Sequence, residues 1–375
     1  MSLHWIFGGS GFGKSHYVYN EIMKQSVCNP SGKYIVIVPE QFTMQTQKDM
    51  VMLSKAKGIM NIDVLSFVRL AYRALAQTKA LDKPLLADEG KGMIVRRILK
   101  EHAGEWKTFG NNINRSGFVE EIKSIVTEFV QYRMDDNKYE NMLNSVRDKG
   151  ILSSKIEDVG LVYKYYREYM EQRYISSEEL LSILADYVPE SGMIKGSVVC
   201  IDGFTGFTPV QYELLRELMK VCSDIYITVT IDSRSRTFGK ARPDELFYMS
   251  RTYINKCMKI AAQTGVYVEE PVWAGNSENK AWRFASNPEL GLLEANIFRE
   301  KPAKGLSGIN DRIKVYEAAN PYEEVEYCVW QIGQLIRKEE LRYRDIAIIT
   351  GDTETYSRLF KDEFEKVRIP YFTDR

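Results

Sequence analysis

Histidine is scarce in this chain, with three in 375 residues, and its five cysteines (Cys28, Cys200, Cys222, Cys257 and Cys328) form no C-x-x-C pair and no Cys/His cluster. An odd count scattered over a long chain argues against a disulfide framework, and the spacing argues against a zinc site. Reduced thiols in a cytoplasmic protein are the simplest expectation. No apolar run reaches the roughly 18 residues of a membrane span, so no membrane association is expected. Residues 1–7 give way to glycines too soon to form a signal peptide. With 11 prolines and 25 glycines the chain is neither collagen-like nor extensively disordered. Net charge is missing as well: 51 basic side chains face 51 acidic ones, which excludes a polycationic nucleic-acid binder. That neutrality is a cancellation. Residues 1–80 carry nine basic and four acidic groups, residues 111–190 ten and fifteen. A local phosphate-binding surface near the N-terminus therefore stays possible.

At about 150 residues per domain, the length predicts two to three domains. Apolar runs at residues 4–7, 34–38 and 62–65 alternate with helical patterns at 15–25, 43–53 and 67–76, the last capped by Ser66. Such alternation predicts an α/β fold with a parallel sheet covered on both faces. From residue 83 the pattern turns helical, with segments at 88–102, 117–133, 137–146, 155–173 and 177–187. Ser176 and Glu179 have the spacing of a capping box. The α/β pattern resumes with strands at 197–201 and 225–231 and helices at 209–220 and 244–263. Residues 271–308, rich in Gly, Pro, Asn and Ser, read as a linker with one short helix at 288–298. A new unit then opens at Arg312, with strands at 314–318, 345–349 and 369–372 and helices at 322–337 and 353–366. The expected organisation is a P-loop domain over 1–82 and 192–300, a helical insertion over 83–191, and the start of a further α/β domain over 312–375. The chain reads as the front of a longer polypeptide.

One motif carries specific chemistry. Gly8, Gly9, Ser10, Gly11, Phe12, Gly13, Lys14 and Ser15 match G-x-x-x-x-G-K-[ST] at every fixed position, between a predicted strand and a predicted helix. Glycines let backbone N–H groups turn toward a β-phosphate, and the helix N-terminus favours the same anion. Lys14 is placed to reach the β- and γ-phosphates of ATP, and the Ser15 hydroxyl to ligate Mg²⁺. An acidic partner belongs at the end of a later buried strand. Asp202, closing Val198-Val199-Cys200-Ile201, is the candidate for the metal; a helix or turn cap is its alternative role. Gly203 follows, where a hydrolytic enzyme usually carries a glutamate.

The stretch Asp202-Gly203-Phe204-Thr205-Gly206-Phe207-Thr208-Pro209-Val210-Gln211 has the layout of the second motif of superfamily 1 (UvrD-like) helicases, D-E-F-Q-D-x-x-x-x-Q. Gly203, Thr205 and Gly206 replace three of its functional letters. Together with the N-terminal phosphate loop and Val38-Pro39-Glu40-Gln41, this segment resembles the AddB family, the B-type subunits of a bacterial ATP-dependent helicase/nuclease. Asn320-Pro321-Tyr322-Glu323-Glu324-Val325-Glu326 and Tyr343-Arg344-Asp345-Ile346-Ala347-Ile348-Ile349 resemble the opening of the second helicase-type domain. The resemblance covers essentially the whole chain. It implies a RecA-like first domain with a large helical insertion, the start of a second RecA-like domain, ATP, Mg²⁺ and DNA as ligands, and an AddA-type motor/nuclease partner. It also implies a C-terminal nuclease domain with an iron–sulfur cluster. No residue here has the spacing for that cluster, and no nuclease or other catalytic residue is assigned.

Against the family of active helicases the chain lacks several features. No glutamine motif precedes the phosphate loop, no glutamine lies between Gln211 and Gln263 to sense a γ-phosphate, and Gly351 stands where an arginine usually faces the phosphates. Loss of such an arginine removes roughly 10³–10⁵ in rate in other phosphoryl-transfer systems. Nucleotide binding with little hydrolysis is the expectation; an active DNA-dependent ATPase and a P-loop small-molecule kinase are the competing readings. For DNA, Gln41 and Thr43 follow the second strand in the position of a motif that touches single-stranded backbone. Phe42 between them is read first as a core residue. Arg234, Arg236, Lys240 and Arg242 form a basic loop whose first reading is a solvated surface, with Arg234 and Arg236 as DNA-contact candidates. Arg69 and Arg73, beside Tyr72 on one helical face, are weaker ones. Tyr163, Tyr165, Tyr166 and Tyr169 are expected to pack the insertion helices.

Overall fold

A computed structural model of the chain describes all residues except 55–56, 77, 79–82, 111, 172, 276–280, 299–311, 339–340 and 374–375. It divides into two units, Met1–Ala303 and Lys304–Arg375. In the first, the short apolar runs are strands, because each has a neighbour to satisfy its backbone and helices to bury its side chains. The chain runs β1 (Ser2–Gly8), α1 (Lys14–Cys28), β2 (Tyr34–Ile37), α2 (Thr43–Leu53), β3 (Ile62–Leu65) and α3 (Phe67–Leu75). Five helices follow: α4 (Asp88–Glu101), α5 (Ser116–Gln131), α6 (Asp136–Ser145), α7 (Ile151–Glu171) and α8 (Ser177–Tyr187). Then come β4 (Val198–Ile201), α9 (Pro209–Val221), β5 (Asp224–Thr230), α10 (Tyr248–Thr264), β6 (Tyr267–Val268), β7 (Val272–Trp273) and α11 (Pro288–Asn296).

The seven strands form one sheet in the order β3-β2-β4-β5-β1-β6, with β7 also on β1, and every pairing is parallel. The fold is thus an α/β fold with a parallel sheet and a helical insertion, as the sequence predicts. Register brings Gly8 opposite Thr230, and Ile201 opposite both Ile37 and Ile227. The ends of β1, β4 and β5 therefore meet at the carboxyl edge of the sheet, where open α/β folds place their ligands.

Two apolar layers sandwich this sheet. On one face Leu3, Trp5, Ile37, Ile201 and Ile227 pack with α3, α8, α9 and α10; on the other Ile6, Val36 and Cys200 pack with Val18 and Ile22 of α1 and Met50 of α2. A third cluster is built by α4, α5 and α7, with Tyr166 buried and Tyr163, Tyr165 and Tyr169 packed around it. Those tyrosines hold helices together, as expected. Asp158, buried in α7, accepts the N–H groups of Lys107, Thr108 and Phe109 and so fixes the segment after α4. Helix α8 shares its core with the sheet; its capping box, Ser176 with Glu179, is formed.

The structure corrects three expectations. Val272–Trp273 lies in the stretch read as a linker, yet it pairs with Ile6 and Phe7 of β1. Two residues are too few to show a period, and only the neighbouring strand makes them one. Other parts of that stretch, 276–280 and 299–308, lie outside the described residues. Phe42 joins no core cluster and is half exposed, because the turn Glu40–Phe42 carries it outward. In the second unit, α12 (Pro321–Lys338) and α13 (Thr353–Val367) bury Val325, Ile332 and Phe364, but no described residue of 314–318, 345–349 or 369–372 is in a strand. Val315, Ile349 and Phe372 are more than nine-tenths exposed. An apolar run becomes a strand only when an adjacent strand takes its N–H and C=O groups, and among the described residues of this unit no strand is formed.

Candidate nucleotide site

The loop between β1 and α1 owes its shape to glycine. Gly11 and Gly13 have φ of 78° and 86°, in the left-handed region that side chains disfavour. Gly13 is the N-cap of α1 and supplies no side chain to its first turn. The leading N–H groups of α1 thus lack a capping side chain, the arrangement that receives an anion. The Gly8 carbonyl accepts from Ile231 at 3.1 Å, which ties the loop to the end of β5.

Lys14 folds back over this loop, and its ammonium donates to the carbonyls of Gly8 at 3.1 Å and Gly9 at 2.9 Å. Burial pushes its pKa from the ordinary 10.5 down to about 8; nearby Arg283 adds to the effect, while Asp202 and Glu294 oppose it. Asp202 follows β4 and is itself buried. Its Oδ2 accepts from the Tyr19 hydroxyl of α1 at 2.5 Å, and its Oδ1 accepts from the Thr228 hydroxyl of β5. Burial, and then the charge of Asp202, hold the Tyr19 phenol far above its usual pKa, so it stays a donor. Those two hydrogen bonds use about half of the acceptor sites of an ionised carboxylate. The rest are available to a water on a metal. Ser15, Lys14, Asp202, Thr228 and Arg283 line one cavity of about 360 Å³. Its donor set, a hydroxyl and a buried carboxylate beside an ammonium, suits a magnesium ion held mostly by phosphate and water.

Gly203 has a φ of 80°, and an added Cβ would meet Pro39 at 3.4 Å. The backbone at this position therefore disfavours a side chain. Below this turn Phe204 and Phe207 pack on Phe67 at 5.3 and 5.4 Å, and Phe207 on Tyr253 at 4.9 Å. Thr208 and Gln211 form a capping box at the start of α9. The segment after Asp202 is thus anchored by aromatic packing.

The DNA candidates fall in different settings. Gln41 is exposed, whereas Thr43 is buried and its hydroxyl donates to the Glu40 carbonyl at 3.0 Å. Arg234 is paired with Asp232 at 2.7 Å and donates to the Ala295 carbonyl at 2.9 Å; Arg236 is exposed. Arg69 and Arg73 pair with Glu40 and Asp63. Sequence reasoning missed Tyr19, Thr228, Trp282, Arg283 and the buried Arg251. Arg251 pairs with Glu245 and donates to the Lys240 carbonyl at 2.8 Å, fastening the basic loop. Arg283 lies in the former linker, and its N–H donates to the Gly11 carbonyl at 3.1 Å. No local pattern marks these residues. Only the chain's return to the phosphate loop brings them there.

Comparison with known proteins gives the family. Proteins named as the B-type component of an ATP-dependent helicase/deoxyribonuclease match along the whole chain: 40% identity over 375 residues in Lachnoclostridium phytofermentans, 33% over 378 in Clostridium tetani and 30% over 375 in Acetivibrio thermocellus. In each case the match takes in 100% of this chain and 32% of the relative, so the chain spans about a third of the length of these curated relatives. A family model described as "ADDB, N-terminal" matches residues 5–294. That match runs from β1 through α11 and includes both the phosphate loop and Asp202, so the chain belongs to the AddB family.

Proposed function

We propose that this chain is the N-terminal, helicase-like region of one subunit of an ATP-dependent helicase/deoxyribonuclease, and that it binds ATP with Mg²⁺ and DNA while hydrolysing little ATP itself. The observation that carries this is the single cavity joining the phosphate loop, Lys14, Ser15 and Asp202 at the carboxyl edge of a parallel sheet. Gly8, Gly9, Ser10, Gly11, Phe12 and Gly13 wrap the phosphates, Lys14 neutralises them, and Ser15 with Asp202 holds the ion. The ion neutralises charge between the β- and γ-phosphates when bound. Low turnover follows from Gly203, which offers no carboxylate to a water.

In this reading the P-loop domain comprises 1–82 and 192–300, the helical insertion 83–191, and a second helicase-type domain begins at 312. Among the DNA candidates, Gln41, Arg234 and Arg236 are exposed, with Arg234 held by Asp232 and the Ala295 carbonyl; buried Thr43 supports the turn that presents Gln41. The whole protein would act in the cytoplasm with an AddA-type motor/nuclease subunit, in double-strand-break repair by recombination. Its nuclease residues and iron–sulfur cluster would lie outside this chain. No helix among the described residues is long and apolar enough to cross a membrane.

Calorimetric titration with ATP and Mg²⁺, followed by phosphate release with and without single-stranded DNA, tests the proposal. Binding abolished by Lys14→Ala, with turnover far below the ordinary range of about 1–10³ s⁻¹, is expected. DNA-stimulated turnover comparable to an active helicase, lost in Lys14→Ala, would overturn the motor-inactive reading. Phosphotransfer to a small molecule without DNA would favour a kinase instead.

A further inference from the structure

Four buried polar side chains meet at the wall of the phosphate cavity. Tyr19 on α1, Thr46 on α2, Asp202 after β4 and Thr228 on β5 are each at most 5% exposed. Asp202 and Thr228 line the cavity, whereas Tyr19 and Thr46 are not among its lining residues. Their hydrogen bonds have one consistent direction. A carboxylate only accepts, so the Tyr19 proton points to Asp202 Oδ2, at 2.5 Å. The Tyr19 oxygen is then left to accept, and the Thr46 hydroxyl, at 3.5 Å, is its donor. Thr228 donates to the other carboxylate oxygen, and the Asp202 N–H donates to the Ile37 carbonyl at 3.0 Å. Backbone and carboxylate are held together: turning the carboxylate about its last bond breaks the bonds to Tyr19 and Thr228 at once.

Tyr19 otherwise belongs to an apolar layer, with Val18, Ile22, Val36 and Met50. A phenylalanine and a valine would fill positions 19 and 46 without burying a hydroxyl, and a buried hydroxyl costs free energy unless it is bonded. Packing alone does not account for the pair; the carboxylate on which it ends does. We propose that Tyr19, backed by Thr46, is a positioning residue of the metal site. From outside the cavity it locks the Asp202 carboxylate at the cavity wall, and so sets how far magnesium strengthens nucleotide binding. Thr228 locks the other oxygen from β5. Groups behind a metal ligand act in this way, by fixing the ligand's orientation before the ion arrives.

This inference rests on the proposed nucleotide site, and the test separates the two. ATP is titrated calorimetrically into the chain with Mg²⁺, and again with EDTA in its place. Mn²⁺ binding in the presence of ATP is read by electron paramagnetic resonance. In the wild type, Mg²⁺ should tighten ATP binding. Tyr19→Phe should lose about tenfold in ATP affinity with Mg²⁺, the lower end for a group behind a metal ligand, because Thr228 remains. Mn²⁺ affinity should fall by the same factor, and ATP affinity in EDTA should not change. Thr46→Val should shift the same quantities in the same direction but less, and Thr46→Ser, which keeps the hydroxyl, should retain the wild-type values. Tyr19→Phe with wild-type metal dependence, or with an equal loss in Mg²⁺ and in EDTA, overturns the positioning role alone. A wild type that binds no ATP, or binds it equally with and without Mg²⁺, overturns the proposed site and this inference with it. Should circular dichroism show Tyr19→Phe unfolded at the assay temperature, the two Thr46 variants decide the same question.

Discussion

Under the proposed function, the depressed pKa of Lys14 makes nucleotide affinity depend on pH. In the free site the ammonium is buried, faces Arg283, and titrates at about 8 instead of 10.5. Bound polyphosphate adds several negative charges beside it and returns its pKa toward the ordinary range. Below pH 8 the ammonium is present in both states, and affinity is level with respect to this group. Above pH 8 the free site loses the proton while the bound site keeps it, so binding must take a proton up. At about pH 9 only about a tenth of free sites stay protonated, which costs about tenfold in affinity, or about 1.4 kcal/mol. Calorimetry at about pH 7, 8 and 9, in buffers of different ionisation enthalpy, reads both the affinity and the proton uptake. Uptake should approach one proton at the highest pH. Lys14→Arg keeps its charge throughout and should give a flat profile, which accounts for any other titrating group. Affinity that holds or rises from pH 7 to 9 without proton uptake would refute the reasoning.

Three further outcomes follow from the geometry around the site. Tyr19→Phe removes a donor from buried Asp202 and should cost about 1–3 kcal/mol in denaturant unfolding; no loss would mean that water replaces the hydroxyl. Gly203→Glu restores the carboxylate of active helicases, but at a φ of 80° it should destabilise the chain by about 1–2 kcal/mol without raising ATP turnover. A rise in phosphate release would show that the backbone is not the obstacle. Arg251→Met removes one of the two arginine partners of Glu245, leaving Arg242, and takes a donor from the Gly239 and Lys240 carbonyls, of which Gly239 keeps Asn255. The expected loss is about 1–3 kcal/mol from the buried hydrogen bonds given up, with faster proteolysis of the loop at 233–247; unchanged proteolysis would count against its role as a fastener.

The sequence alone determined the features that are local in the chain. Strand runs at 34–37 and 62–65, the Ser176 capping box, the alternation that implies a parallel sheet and the phosphate loop itself depend on neighbouring residues and their spacing. Asp202 was legible too, because an aspartate closing a buried strand needs only the strand to be recognised. Tertiary structure decided the rest, since those features rest on groups far apart in sequence. Trp273 became part of a strand only by pairing with β1. Tyr19 and Thr228 became partners of Asp202 only because α1 and β5 flank β4's end, and Arg283 joined the phosphate cavity only when the chain returned to Gly11. The apolar runs after Arg312 show the reverse case: they have the composition of strands, and among the described residues no strand is formed there. Hydrophobic pattern fixes which side chains seek burial, but a strand also needs a neighbour's hydrogen bonds, and a site needs groups that only the folded chain brings together.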